Sequence, residues 1–102
     1  MNAAERLWRG LGSHDWDAVR AQFRSGAEVE WPHRGARLPV EEYIAVRREA
    51  VGGSRVEVER VVSEGRNVVV EARVGAARGV GIYDLHDGLI AGAVEYWVGD
   101  AG

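Results

Sequence analysis

The chain has 102 residues, of which 46% are hydrophobic and 28% charged, with a formal net charge of −3, and this predicts one domain, residues 1–102, with a single core. Its basic residues are interspersed with acidic ones, which argues against nucleic acid as a partner, and without cysteine it can form neither disulfides nor thiolate metal sites. No apolar run is long enough for a signal peptide or a membrane span, so we expect a cytoplasmic protein that does not bind membranes.

Helical periodicity dominates the first half of the chain. A helix is predicted over 3–11, a second over 15–24 and a third over 41–51, each with apolar residues on one side. Between them, 27–31 alternates as a short strand and 33–38 is expected to be a loop. In the first helix, the apolar residues spaced three and four apart are Ala4, Leu7, Trp8 and Leu11.

The second half of the chain alternates between apolar and polar residues, as strands do. Four consecutive strands are predicted over 55–63, 67–74, 79–85 and 89–97, and Asp87-Gly88 is typical of the tight turn between the last two. Helices followed by strands indicate an α+β fold, in which three N-terminal helices pack on a curved antiparallel or mixed sheet.

The last strand is unusual because neither of its faces is mainly charged. Ile90, Val94 and Tyr96 are expected on one face, and the helices can cover only the other. An uncovered apolar face favours a partner, so the sequence predicts a homodimer through the sheet.

Small residues are predicted to gather on the face of the sheet turned towards the helices. By strand parity, Gly79, Gly81, Ala91 and Ala93 share this face with Tyr83, Glu95 and Trp97. One interpretation is that the small side chains leave a cavity between the sheet and the helices. The alternative is that the glycines only permit bending of the strands or close packing.

Three segments in this order resemble a known family: Gly-Ser-His-Asp-Trp-Asp-Ala-Val (12–19), Ala-Glu-Val-Glu-Trp-Pro-His-Arg-Gly (27–35) and a last strand ending in Val-Glu-Tyr-Trp (94–97). The chain is similar to the nuclear transport factor 2-like superfamily in its SnoaL-like branch. The resemblance implies a cone-shaped α+β barrel, a pocket between helices and sheet, and dimerisation through the sheet. Members include ketosteroid isomerases, polyketide cyclases, epoxide hydrolases, dehydratases and non-catalytic proteins, so the fold does not give the function.

The catalytic residues of two branches carry over poorly. Trp31 and Gly81 stand where the isomerases carry their two acids, so the resemblance supplies no steroid-type proton shuttle. Glu95, followed by Tyr96-Trp97, is similar to the last-strand aspartate of epoxide hydrolases. Glu71 and Arg73 have the spacing of the other two residues of that triad in reversed order, and they either face the pocket or form a charge pair on the solvent side.

Glu95 is the leading candidate for a catalytic residue, as a general base strengthened by loss of hydration. The alternative is a structural carboxylate partnered by an arginine, for which Arg47 on the third helix is a candidate. His33 would lie at the pocket rim as an auxiliary acid, or be a solvated loop histidine. The other residues expected to line the pocket, or else to belong to the core, are Trp31, Tyr83, Trp97, Ala93 and Gly81.

These observations predict a small-molecule pocket protein, with acid/base catalysis of an isomerase, cyclase, dehydratase or epoxide hydrolase type on a hydrophobic oxygenated substrate. The alternative is a non-catalytic ligand-binding or dimerisation module. The three histidines share no ligand spacing, so neither a metal nor another cofactor is expected. The expected partners are a small hydrophobic molecule and a second copy of the chain.

Overall fold

A computed structural model describes residues 1–99. Three helices and six strands follow one another, with one 3-10 turn at Pro32–Arg34, and they confirm the predicted α+β class. The helices are α1 (Ala3–Ser13), α2 (Trp16–Ala21) and α3 (Val40–Val51). The strands are β1 (Glu28–Trp31), β2 (Ala36–Pro39), β3 (Val56–Glu64), β4 (Asn67–Val74), β5 (Ala77–His86) and β6 (Leu89–Val98).

Side chains at the helix ends explain where α1 and α2 begin. Asn2 and Glu5 form a reciprocal capping box at the start of α1, and the Asp15 side chain accepts a hydrogen bond from the Ala18 amide at the start of α2. The second helix ends at Ala21, earlier than predicted, because Phe23 forms a parallel bridge with Ile90. The end of the predicted helix is therefore part of the contact between the helices and the sheet.

The strands form one mixed sheet in the order β2-β1-β6-β5-β4-β3, with β1 and β6 parallel and the other neighbours antiparallel. The sheet is not closed, since β2 and β3 each have one neighbour. The loop predicted over 33–38 is wrong in part: β2 pairs with β1, including Pro39 opposite Glu28. A proline, which has no backbone N–H, is tolerated there because the outer side of an edge strand has no neighbouring strand that needs a donor.

A β-bulge reverses the parity of β6. Asp84 pairs with Gly92 but the next residue, Leu85, pairs with Ile90, so Ala91 is extra. Ile90 therefore turns towards the helices and is fully buried, which corrects its predicted place beside Val94 and Tyr96. Ala91 is correspondingly not on the inner face, where the parity argument placed it.

The core lies between the helices and the concave, inner face of the sheet. From α1 it receives Leu7, Trp8 and Leu11, and from α3 it receives Tyr43 and Ile44. The inner face contributes alternate residues of β4, β5 and β6, as the period of two requires. Within residues 1–99, no helix is long and apolar enough to cross a membrane.

Candidate functional site

Glu95 lies on the inner face of β6, with 1% of its surface exposed. Its Oε1 accepts hydrogen bonds from the indole Nε1 of Trp31 and of Trp97, each at 3.1 Å. Its Oε2 accepts from the hydroxyl groups of Tyr43 at 2.9 Å and Tyr83 at 2.6 Å. A carboxylate has about four acceptor positions, and all four are occupied by neutral donors of the protein itself.

The donors come from four separate elements. Trp31 ends β1, Tyr43 lies on α3, Tyr83 lies on β5, and Trp97 follows Glu95 by two residues on the same face of β6. A fifth ring extends the network, since Trp8 Nε1 on α1 donates to the Tyr83 hydroxyl at 2.9 Å. Through these bonds Glu95 connects two helices to three strands of the sheet. We call Glu95, Trp8, Trp31, Tyr43, Tyr83 and Trp97 the carboxylate cluster.

Arg47 is also fully buried and packs against two rings of the carboxylate cluster. Its guanidinium carbon lies 4.2 Å from the centroid of the Trp97 ring and 5.2 Å from that of Trp31. The faces of aromatic rings attract cations, most strongly where water is excluded. Because the same two indoles donate to Glu95, a buried positive and a buried negative charge share one environment, which reduces the cost of burying each.

The two phenols of the cluster are held in their neutral form. Burial raises the pKa of Tyr43 and of Tyr83 well above the ordinary value of 10.0, and the nearby charge of Glu95 raises both further. Both hydroxyl groups therefore remain hydrogen-bond donors throughout the physiological range of pH.

The space above the predicted small residues is occupied by aromatic rings. The Tyr83 ring lies over Gly81, where an added Cβ would be 2.5 Å from ring carbons. The Trp97 ring lies over Gly79, where an added Cβ would be 2.8 Å from the indole. Ala93, opposite Tyr83, is buried on the same face. These glycines admit the protein's own side chains close to the backbone.

His33 lies outside this cluster, in the 3-10 turn after β1, and is exposed. Its ring centroid is 5.9 Å from that of Trp31. Partial desolvation and the positive charges of Arg34 and Arg47 lower its pKa below the ordinary value of 6.5. His33 is therefore mainly neutral at pH 7, and the Trp31 ring beside it donates its indole N–H to Glu95.

Glu71 and Arg73 lie on the opposite side of the sheet from Glu95. The residues between and beside them in β4, Val70, Ala72 and Val74, are buried on the inner face. Arg73 Nη2 is 3.5 Å from Glu59 Oε2 across the sheet, so it takes part in a cross-strand ion pair on the outer face. No triad with Glu95 is available to these two residues in this arrangement.

Of the residues singled out from the sequence, Trp31, Arg47, Tyr83, Glu95 and Trp97 come together in the core, whereas His33 lies at its edge. Sequence analysis missed Tyr43 and Trp8 as members of the hydrogen-bonded cluster. Tyr43 lies within the third predicted helix and precedes Arg47 by one helical turn, so the two side chains share a face. Trp8 gave no signal beyond its apolar position.

A cleft of about 480 Å³ opens between α1 and strands β3 and β4, and Glu95 does not line it. Among residues 1–99, no three His, Cys, Asp or Glu side chains gather as they would around a metal ion.

The family described as SnoaL-like domain matches residues 4–93. No curated protein sequence matches the chain. Among solved structures, it is similar to an NTF-2 like protein of unknown function from Burkholderia xenovorans LB400, with 24% identity, coverage of 93% of this chain and 79% of that one, and a TM-score of 0.82.

Two further solved structures share the fold. For a SnoaL-like protein of unknown function from Burkholderia thailandensis E264, the identity is 18%, the coverage 93% of this chain and 90% of that one, and the TM-score 0.79. For an LEH-like epoxide hydrolase from M. tuberculosis, the identity is 22%, the coverage 94% of this chain and 80% of that one, and the TM-score 0.71. Likeness at these identities shows a common fold and does not identify the chemistry.

Proposed function

The chain belongs to the SnoaL-like branch of the nuclear transport factor 2-like superfamily. We propose that it is a non-catalytic member of this family and acts as a homodimerisation module. The observation that carries the proposal is the occupancy of Glu95. A general base needs a free acceptor position within reach of the substrate proton. At Glu95 all four positions are taken by Trp31, Tyr43, Tyr83 and Trp97, and the rings that donate also fill the space around the carboxylate.

The outer face of the sheet supports the second half of the proposal. Cross-strand pairing places Val62, Val69, Ile82 and Val94 in one row across four strands. Val80 and Tyr96 form a neighbouring pair on the same face. Val62 is 51% exposed, Ile82 39% and Tyr96 47%. We call these six residues the outer apolar patch.

A twofold interface suits this patch. Monomers seldom expose a contiguous apolar surface of this kind, and a second copy would present an identical one to it. Charged residues flank the patch, among them the ion pairs that Glu59 makes with Arg73 and Arg78 at 3.5 and 3.4 Å. An apolar centre with a charged rim is typical of protein interfaces.

Hydrogen exchange of the tryptophan indole protons tests the first part of the proposal, that Glu95 is structural and not catalytic. The chain has four tryptophans, and three donate their indole protons within the carboxylate cluster. If the cluster is structural, the Trp31 and Trp97 indole protons exchange with solvent only when the whole domain unfolds. Trp16, which is partly exposed, is the control and exchanges fast. Exchange of Trp31 and Trp97 as fast as that of Trp16 would contradict a sealed interior.

Sedimentation tests the dimer. The wild-type protein is expected to sediment as a dimer at micromolar concentration, and Val94→Glu as a monomer, because a charge would be buried at the centre of the patch. Val58→Glu is the matched control: Val58 is 46% exposed but lies on the inner face, so this variant remains dimeric. A wild-type monomer at high micromolar concentration would refute the proposal.

The alternative is an acid/base enzyme, and one observation favours it. His33 is exposed, mainly neutral at pH 7, and packs near Trp31, which bonds to Glu95. A substrate that displaced Trp31 would meet both side chains. Small epoxides and enones distinguish the two functions: for an enzyme, turnover is lost in His33→Ala, whereas a dimerisation module turns over none of them.

A further inference from the structure

A second feature of the inner face is the cleft of about 480 Å³ between α1 and strands β3 and β4. Its walls are apolar on the side of the sheet and are closed by an indole on the side of the helix. The polar side chains that line it, Glu5, Arg9 and Ser13, recur along one side of α1. The apolar lining residues are Trp8, Val56, Val58, Val61 and Val70.

The cleft exists because α1 covers β3 incompletely. Val58 pairs with the buried Ala72 and so belongs to the inner face, yet it is 46% exposed. Gly12 faces the cleft without a side chain, and a Cβ there would make only ordinary contact with Val56, at 3.6 Å. Glycine in a helix costs about 1 kcal/mol relative to alanine, so its presence at a position that alanine would fit is consistent with a space that is used.

Of the two charged side chains at the rim of the cleft, Glu5 already has a partner within the protein, whereas Arg9 can bind a ligand. Glu5 is engaged in the capping box, where its Oε1 accepts from the Asn2 amide at 3.0 Å. Arg9 is exposed, and its polar contact is with the Met1 sulfur at 3.9 Å. Among residues 1–99, no carboxylate lies within ion-pair distance of Arg9. The cleft therefore combines an apolar wall with an available guanidinium at its edge.

We propose that this cleft binds an aliphatic monocarboxylate of medium chain length, with the carboxylate on Arg9 and the alkyl chain along Val56, Val58 and Val61. The volume falls within the range of about 300–1,000 Å³ that small-molecule sites have. The absence of further free polar groups on the valine wall favours a plain alkyl chain. The cleft shares Trp8 with the carboxylate cluster, but neither Glu95 nor any residue of the outer apolar patch lines it.

Calorimetric titration of the intact protein with hexanoate, octanoate and decanoate measures the contribution of the apolar wall. Each buried methylene contributes about 0.8 kcal/mol, so two added carbons should lower Kd by roughly fifteenfold. Octanol, which has the tail without the charge, should bind about twofold to fivefold more weakly than octanoate. Affinity that does not depend on chain length, or equal affinity for octanol and octanoate, would overturn the proposal.

Variants identify the cleft as the site. Val58→Trp fills it from the sheet and Gly12→Leu from the helix, and each should abolish octanoate binding while sedimentation is unchanged. Arg9→Gln should weaken octanoate to the affinity of octanol and leave octanol unaffected; Arg66→Gln, in the exposed β3–β4 turn, is the control and changes neither. Thermal unfolding confirms that each variant is folded. Undiminished octanoate binding in both filled variants would place the ligand elsewhere and refute the proposal.

Discussion

The two halves of the inner sheet face are covered in opposite ways. Over β5 and β6, where the sequence has glycines, aromatic rings from the same sheet fill the space and the surface is sealed. Over β3, where the sequence has bulky valines, Val58 remains 46% exposed and a cleft opens beside α1. A cavity therefore depends on what packs above a strand, and the size of the strand's own residues does not predict it.

The two halves also differ in what stabilises them. The sealed half contains polar groups that must be mutually satisfied, since Glu95 and Arg47 are buried together with the ring donors. The open half relies on apolar contact between α1 and the valines. A single change should consequently cost much in the sealed half and little in the open one.

The largest effect is expected when the centre of the sealed half is removed. Glu95→Ala leaves four buried donors without an acceptor and removes the negative charge buried with Arg47. We expect a loss of about 3–5 kcal/mol in the free energy of unfolding, measured by urea denaturation.

Glu57→Ala is the matched control for Glu95→Ala. Its partner, Arg55, is 2.9 Å away in an exposed ion pair, so the loss should be below about 1 kcal/mol. Equal losses for the two variants would mean that the carboxylate does not hold the sealed half together.

The second largest effect is expected at high pH, where the free energy of unfolding should fall because of the two buried tyrosines. Tyr43 and Tyr83 have a raised pKa in the folded state, so above pH 10 the unfolded chain releases protons that the folded chain retains. Stability is then fully present below pH 10 and falls as the pH rises through the folded-state pKa, by up to about 1.4 kcal/mol per pH unit for each tyrosine. Urea midpoints over a pH series measure the slope, and Tyr43→Phe should reduce it. Reversible ionisation of both phenols near pH 10 in the folded protein would contradict the expectation.

A glycine beneath a ring of the sealed half should not tolerate an added methyl group. Gly81→Ala places a methyl group 2.5 Å from the Tyr83 ring, and the displacement should cost about 1–3 kcal/mol. Gly92→Ala, in the neighbouring strand, has no atom within 4 Å of its added Cβ and should be neutral or slightly stabilising. If thermal unfolding ranks the two variants in the opposite order, the glycines do not serve to seat the rings.

The smallest expected difference concerns the open half. Val70 is fully buried and Val58 is 46% exposed, although both line the cleft from the inner face. Val70→Ala should cost about 2 kcal/mol in urea denaturation and Val58→Ala less than about 1 kcal/mol. A larger loss for Val58 would mean that α1 packs over β3 in solution and closes the cleft.

Much of the fold could be predicted because helical and strand periodicities depend only on residues that are close together in the sequence. The segment 67–74 is a strand with the predicted bounds, and 41–51 differs from α3 by one residue. The strand β2 was missed because it is an edge strand of only four residues, and its last residue, Pro39, directly precedes α3. The bulge at Ala91 was missed because it depends on the register of two strands, and with it the inward direction of Ile90.

The candidate site was harder to predict than the fold. Periodicity placed Glu95, Trp97 and Tyr83 on one face, which is a property of each strand. It could not place Trp8 or Tyr43 beside them, because their positions depend on how α1 and α3 cross the sheet. Nor could it distinguish a glycine that leaves room for a ligand from one that leaves room for a neighbouring ring.

The position of β6 in the sheet has a consequence for the order in which the chain assembles. It lies between β1 and β5, although it is the last strand of the described chain, so β1 and β2 cannot join the rest of the sheet until residues 89–98 have been synthesised. Contacts between segments so distant in sequence form late and slow down folding. Until then β1 and β5 both present unpaired backbone groups, which makes the nascent chain prone to association with other strands.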